Sequence, residues 1–309
     1  MDEETGRVVG ARLGGPRGPR TVRCGAVVLA TGGFQGDVEL LTRYVSPWAD
    51  RLFLRASSTS TGDGLRMALA AGAAGSRGLQ AFYGHLLPAP PARIDPATFR
   101  TVALYYSPES VALNLHGERF FDESMADELT TQALARQPEA RGFLVFDEAC
   151  YREHVLRPHL PDGPVHDPLV VIPAAGGVVL RADSLADLAA ALSAHGVPPR
   201  VAQATLESYD AAIAAGAPER LTVPRRKRLH RLHRPPFYAI PVQPAITFTH
   251  GGVRVDTACR ALDRDGRPVP GLYVAGVDAG GIFYEGYVGG LAASLVTGLR
   301  AGIHAARVA

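Results

Sequence analysis

The sequence predicts an α/β chain interrupted by an α+β insert, on three observations. Residues 1–81 are rich in β-type runs and glycine, as in "GRVVGARL" and "RTVRCGAVVLATGG". From Phe82 to about 235 the character changes to proline clusters, short strands and two amphipathic helices. After Pro236 the glycine-rich β pattern returns and runs into a small-residue helix, "GLYVAGVDAGGIFYEGYVGGLAASLVTGLRAGIHAA", near the C-terminus. The expected divisions are therefore 1–81, 82–235 and 236–309, with the outer two forming one domain.

A chain of 309 residues is long enough to bury a sizeable core. It is 47% hydrophobic and 20% charged, the composition of a folded protein. A net charge of +2 is too small to argue for nucleic acid. Lys227 is the sole lysine, so arginine supplies nearly all the positive charge. Cys24, Cys150 and Cys259 are odd in number and far apart, with no CxxC or Cys/His cluster. Neither a disulfide framework nor a metal site is expected. The start, "MDEETGR", is acidic and polar, unlike a secretory signal, and no apolar run reaches the length of a membrane span. A cytoplasmic protein without membrane insertion is the expectation.

In order along the chain, the first two β-type runs are separated by Gly, Pro and Arg and predict a hairpin. The second continues into the apolar run Ala26 to Ala30 and then Thr31-Gly32-Gly33. "STSTGDGLRMALAAGAA" predicts a polar loop, a Gly-Asp-Gly turn and a helix. "VALNLHGERFFDE" predicts a strand, a His116-Gly117 turn and a second strand. "DSLADLAAALSAHG" is an amphipathic helix with Asp183 or Ser184 as N-cap and Gly196 as its stop. "RVAQATLESYDAAIAAG" is a further helix ending at Gly216. The stretch from Pro224 to Pro236 holds Arg225, Arg226, Lys227, Arg228, Arg231 and Arg234. It reads as a solvated surface loop, or as a field that draws an anionic substrate. No aromatic side chains interleave its charges, so nucleic acid is not the expected partner.

The chemistry-bearing positions cluster late in the chain. Gly289 and Gly290 open the last helix, where free N–H groups attract anions or carbonyl oxygens and glycine lets a ring approach. Tight helix–sheet packing is the competing explanation. "TGDGLRM" is not a dinucleotide fingerprint. Met67 replaces the last glycine, no apolar strand precedes it, and no acidic residue lies between Asp63 and Asp95. Tyr284, Glu285 and Tyr287 stand just before the glycine pair, where a ligand docked on the helix end would meet them. His85 and His250 are the secondary candidates for moving a proton, or simply loop residues beside glycine.

These residues resemble the FAD-dependent fumarate reductase and succinate dehydrogenase flavoprotein superfamily. The pieces are "GRVVGARL…CGAVVLATGGF", "STGDGLRMALAAGA", "NLHGERFFDES", "PPFYAIPVQPAITFTHGGVRVD" and "DRDGRPVPGLYVAGVDAGGIFYEGYVGGL". They occur in family order and cover nearly the whole chain. "FYEGYVGG" looks most like the tricarballylate dehydrogenase branch. The resemblance implies an FAD-binding domain with an inserted capping domain, here incomplete. It implies FAD against Ala30, Thr31, Gly32, Gly33, Thr61, Gly62, Asp63 and Gly64. On the C-terminal side it implies Gly276, Asp278, Gly289, Gly290, Leu291 and Ala292. It further implies a small-molecule carboxylate or carbonyl substrate, and an electron acceptor that these motifs do not identify. Tyr287, Tyr284 and Glu285 would handle the proton, with His250 and His85 behind them. Arg119 is expected to hold the hairpin rather than touch substrate.

The sequence departs from the family pattern at three places. The family's opening βαβ unit with G-x-G-x-x-G and a ribose-binding Glu has no counterpart. A truncated chain or a separate N-terminal FAD-binding half is therefore expected. The family's cofactor-contacting Glu is Val277 here, and the adjacent Asp278 would point elsewhere. The fumarate reductase proton-donating Arg aligns with Asp127, and substrate positions become Phe248 and Tyr287, which disfavours fumarate. A 3-ketosteroid dehydrogenase-like activity and a non-catalytic fragment are the rival expectations.

Overall fold

The computed structural model describes residues 1–2, 4–16, 18–159 and 162–308. The chain forms two compact units: Met1–Pro47, Ala56–Tyr83 and Ile246–Ala309 make the first, and Trp48–Arg55 and Gly84–Ala245 the second. Each is a mixed α/β assembly.

In the first unit the predicted hairpin forms between Gly10–Leu13 and Arg20–Arg23, antiparallel. Val27–Leu29 then pairs in parallel with the central strand Pro268–Val274, and Arg260–Leu262 pairs antiparallel on its other side. Parallel strands so far apart in sequence need a long crossover, and the second unit lies within that connection. The terminal helix, Gly290–Ala306, packs on this sheet through Ala301 and Ala305 against Tyr273, Ala275, Cys259 and Ala26. Small residues at that spacing let helix and sheet backbones approach. Its other face is different. Leu291 is 88% exposed and Leu295 73%, and Leu299 and Ile303 continue the same row at i, i+4 spacing. Among the described residues, no helix is long and apolar enough to cross a membrane.

The second unit has a sheet whose middle strand, Gly142–Asp147, pairs antiparallel with Val111–Asn114 on one side and with the Phe237–Val242 part of the long strand Phe237–Thr249 on the other. Alternation at period 2 gives this sheet two apolar faces. Phe143, Val145 and Ala239 face the helices Leu185–Leu192 and Pro199–Ala214. Leu144, Phe146, Tyr238 and Ile240 face Leu86, Leu104, Leu134 and Ile172. Ser184 is the N-cap of the first of these helices, its hydroxyl accepting from Asp187 N, and Gly196 stops the following turn in a left-handed conformation. The second helix ends as expected, just before Gly216.

The structure differs from the sequence reading in four ways. The return to the first unit comes at Ile246 rather than Pro236, because Phe237–Val242 is held in the insert's sheet by the Gly142–Asp147 strand. Residues 48–55 also join the insert. The Gly-Asp-Gly turn is the start of the helix Asp63–Ala70, with Gly62 as a left-handed N-cap. The second strand after His116-Gly117 shrinks to a single bridge, Leu113 to Arg119.

The basic stretch is not wholly a solvated loop. Arg225 is 1% exposed and donates to the Pro108 and Ser110 carbonyls and to Glu123 Oε2 at 3.2 Å. Arg119, as expected, holds the hairpin region: it pairs with both Glu123 oxygens and with the Val223 carbonyl. The Tyr209 ring lies 5.3 Å from one guanidinium carbon and 5.6 Å from the other. Two cations thus share one fully buried carboxylate, which also accepts from Ala112 N. Such groups are tolerated inside only when fully paired.

Candidate functional site

The site in the first unit begins with the turn after Val27–Leu29. Thr31 N and Oγ1 donate to the Asp278 carboxylate, while Thr31 Oγ1 accepts from Gly64 N at 2.9 Å. Gly62 N donates to the Gly33 carbonyl at 3.1 Å. The 31–33 turn and the start of the 63–70 helix are therefore locked together. A Cβ on Gly64 would lie 2.4 Å from Asp278 Oδ1 and 2.6 Å from Thr31 Oγ1, so no larger residue fits. Burial pushes the Asp278 carboxyl up from its ordinary value, and the Thr31 hydrogen bonds oppose that shift. Asp278 points at Thr31, so its link to this turn is as an anchor, with its carboxylate already occupied.

Gly33 shares its surroundings with the helix end. A Cβ there would meet Gln35 Oε1 and Thr249 Oγ1 at 2.5 Å and Val277 Cγ1 at 2.9 Å. Thr249 and Val277 also line a small cavity with Phe248, His250, Gly276, Phe283, Gly290, Ala293 and Ser294. Gly276 N donates to Thr297 Oγ1, one turn further along the helix. Gly289 has φ 112° and no side-chain cap, so the first turn of the helix keeps its N–H groups for another partner.

Several buried polar atoms here have no hydrogen-bond partner among the described residues: Gln35 Oε1, Thr247 Oγ1, Thr249 Oγ1 and both ring nitrogens of His250. An unmatched buried polar atom costs about 1–3 kcal/mol. A cluster of them beside a cavity and a bare helix N-terminus is the arrangement of a ligand cradle. His250 lies tilted against two aromatic rings, Phe283 at 5.4 Å and Phe248 at 5.7 Å. Burial pushes its imidazole down to about 4. The unfolded chain takes up that proton near 6.5, the folded chain only near 4, so stability drains away as pH falls through that window. His250→Phe is expected to remove that loss, which amounts to about 3 kcal/mol at its fullest. Denaturant midpoints at neutral pH and about pH 4.5 measure it, and an identical pH slope in the variant would rule the assignment out.

The other sequence-predicted residues separate. Tyr287 stacks on Tyr83 at 4.2 Å and meets Phe248 edge-on at 6.0 Å, next to Gly290. Tyr284 and Glu285 are exposed and do not line the cavity; Phe283 does. Leu291 and Ala292 have exposed side chains, because a 3.6-residue period turns Gly290, Ala293, Ser294 and Thr297 inward instead. Ala30 and Thr31 are exposed, Gly32 partly so, and Thr61 and Asp63 bond to each other at 3.2 Å. His85 belongs to the second unit. Its Nδ1 bonds Asp127 Oδ2, Ser107 Oγ donates to the other Asp127 oxygen, and Tyr105 meets the imidazole edge-on at 4.7 Å.

Sequence reasoning missed Gln35, Thr249, Phe283, Ala293, Ser294 and Thr297. The last three were open to it, since Gly290, Ala293, Ser294 and Thr297 repeat at i, i+3, i+4, i+7 as small or hydroxylated residues. Gln35 and Thr249 carry no local signal, because they meet through Gly33.

Residues 2–291 match the FAD binding domain family. A NADH:acrylate oxidoreductase from Vibrio harveyi is 28% identical over 85% of this chain and 25% of its own length. A 3-oxosteroid 1-dehydrogenase from Mycobacterium tuberculosis is 28% identical over 91% of this chain and 52% of its own. The open conformation of a flavocytochrome c3 fumarate reductase superposes with a TM-score of 0.62 at 25% identity, over 99% of this chain and 50% of that one. The chain thus spans between a quarter and about half of the length of these relatives.

Proposed function

The chain belongs to the FAD-binding fumarate reductase and succinate dehydrogenase flavoprotein superfamily, whose cofactor is FAD, and on that premise we propose that it works as an FAD-dependent oxidoreductase on a C–C bond next to a carboxylate or carbonyl. The finer reading is a tricarballylate dehydrogenase-like activity. The observation that carries the proposal is the cradle around Gly33 and Gly290. It combines glycines whose Cβ would crowd neighbouring side chains, at 2.5 Å for Gly33 and 3.2 Å for Gly290, with unmatched Gln35, Thr249 and His250 atoms. Those residues fit the polar edge of a flat heteroaromatic ring better than they fit solvent or a packed core.

When bound, FAD supplies the hydride chemistry. The chain's own residues would do the rest. The first N–H groups of the terminal helix would hold negative charge at the ring's edge. Gln35 and Thr249 would accept or donate along the same edge. Tyr287 would hold or move the substrate proton, with His250, neutral near pH 7, as the alternative carrier. Tyr284 and Glu285 would act only at the mouth of the site.

A second FAD-binding half, from a longer protein or a separate chain, would hold the pyrophosphate. What favours it is the exposed row Leu291, Leu295, Leu299 and Ile303, an apolar surface fit to be covered. The steroid-type alternative is favoured by the aromatic group Tyr83, Phe248, Phe283 and Tyr287, which would suit an apolar substrate. In the test, the chain is mixed with a G-x-G-x-x-G-bearing unit and FAD, and flavin absorbance is followed through gel filtration. Co-elution is expected, and Gly33→Val should abolish it, because the added methyls fill the space between Gln35, Thr249 and Val277. Retention of flavin by Gly33→Val would remove the cradle from the cofactor site. Tricarballylate against a 3-ketosteroid as the bleaching substrate then separates the two activities.

A further inference from the structure

The second unit gathers two imidazoles and a carboxylate from three separate stretches of chain. Glu109 ends the short turn Ser107–Glu109, His154 lies in the π-type turn Tyr151–Val155, and His230 lies in the arginine-rich segment. One ligand atom from each can be chosen so that all lie within 4.8 Å of one another. His230 Nε2 is 2.7 Å from Glu109 Oε2, and the two imidazole centroids are 4.0 Å apart. All three side chains are half-buried.

We propose that Glu109, His154 and His230 form a site for a zinc-type divalent cation, with water completing a four-coordinate shell.

Three features make this a prepared site rather than a chance encounter. The backbone on each side of Glu109 is pinned, since Arg225 donates to the carbonyls of Pro108 and Ser110. His230 is pinned as well, its carbonyl accepting from Tyr209 OH at 2.9 Å. Glu109 also has an outer partner: Arg228 Nε holds Oε1 at 2.6 Å, leaving Oε2 toward the histidines. Outer hydrogen bonds of this kind orient ligating carboxylates. Single π-turns occur frequently at functional sites. Two imidazole nitrogens and one carboxylate oxygen suit zinc, whereas calcium and magnesium take oxygen ligands. Binding requires the two rings to rotate from their tilted stack and the His230–Glu109 hydrogen bond to give way to the metal. The ion would then tie the arginine-rich segment to the rest of the unit.

Calorimetric titration of the metal-free chain with Zn2+ tests this, with Co2+ as the spectroscopic probe of four-coordinate geometry. One equivalent is expected to bind and to raise the melting temperature. His154→Ala and His230→Gln should each weaken that binding on the order of 100-fold or more. Because His230→Gln could disturb the fold, the unaltered chain supplies a second readout. Zn2+ should protect His154 and His230, and not His166 or His195, from diethylpyrocarbonate. No stoichiometric binding, binding that survives both replacements, or protection of other histidines instead would each overturn the proposal.

Discussion

Glu123→Ala should lower the free energy of unfolding by about 3–5 kcal/mol, the cost of stranding buried charge. Glu123 is completely buried and is the shared anion of Arg119 and Arg225. Removing it leaves two guanidinium groups inside with only carbonyls and the Tyr209 face, and it strips Ala112 N of its acceptor. Glu123→Gln keeps an acceptor for Ala112 N but not the charge, so it should lie between Ala and the native chain. Urea midpoints with an unchanged slope measure both. A loss below about 1 kcal/mol for the Ala variant would mean that solvent reaches these arginines. The same triad pins the segment that carries His230, so the variant should also weaken Zn2+ binding, through the backbone rather than the ligands.

Tyr287→Phe is expected to leave flavin absorbance in place while slowing substrate-dependent bleaching about 100-fold or more, the scale of general acid–base catalysis. The structure makes this substitution informative. The Tyr287 ring is stacked on Tyr83 and edge-on to Phe248, contacts that phenylalanine preserves, so only the hydroxyl is lost. Stopped-flow measurement in the FAD-loaded assembly separates the two roles. If bleaching is unchanged, Tyr287 is a packing residue, and His250, whose ring nitrogens have no hydrogen-bond partner among the described residues, becomes the carrier to test.

How far the sequence could be read depended on how local each signal was. The hairpin at residues 10–23, the Ser184 cap, the Gly196 stop and the helix ending before Gly216 were all legible, because turn chemistry and helix periodicity act over a few residues. The glycines at 33, 64 and 290 were legible as points of close approach, and the ordered motifs carried the family. The boundary near 236 was misplaced, since a strand that continues unbroken from Phe237 to Thr249 has no local mark where it leaves one unit for the other. Arg225 looked like one more charge in a solvated run, and only the carbonyls of Pro108 and Ser110, more than a hundred residues away, make it a core residue.

By itself the sequence determined the class of fold, because glycine spacing and apolar periodicity are written in neighbouring residues, and its ordered motifs carried the resemblance to the FAD-binding family. Tertiary structure alone decided which side chains meet. It turned Ala293 and Ser294 toward the cavity and Leu291 away, and it left Gln35 Oε1, Thr249 Oγ1 and the His250 ring nitrogens without a hydrogen-bond partner among the described residues. It also gathered Glu109, His154 and His230 from three distant stretches. Hydrogen bonds, burial and ligand geometry depend on distances in space, and for residues so far apart in the chain those distances exist only after the sheets have paired and the cores have closed.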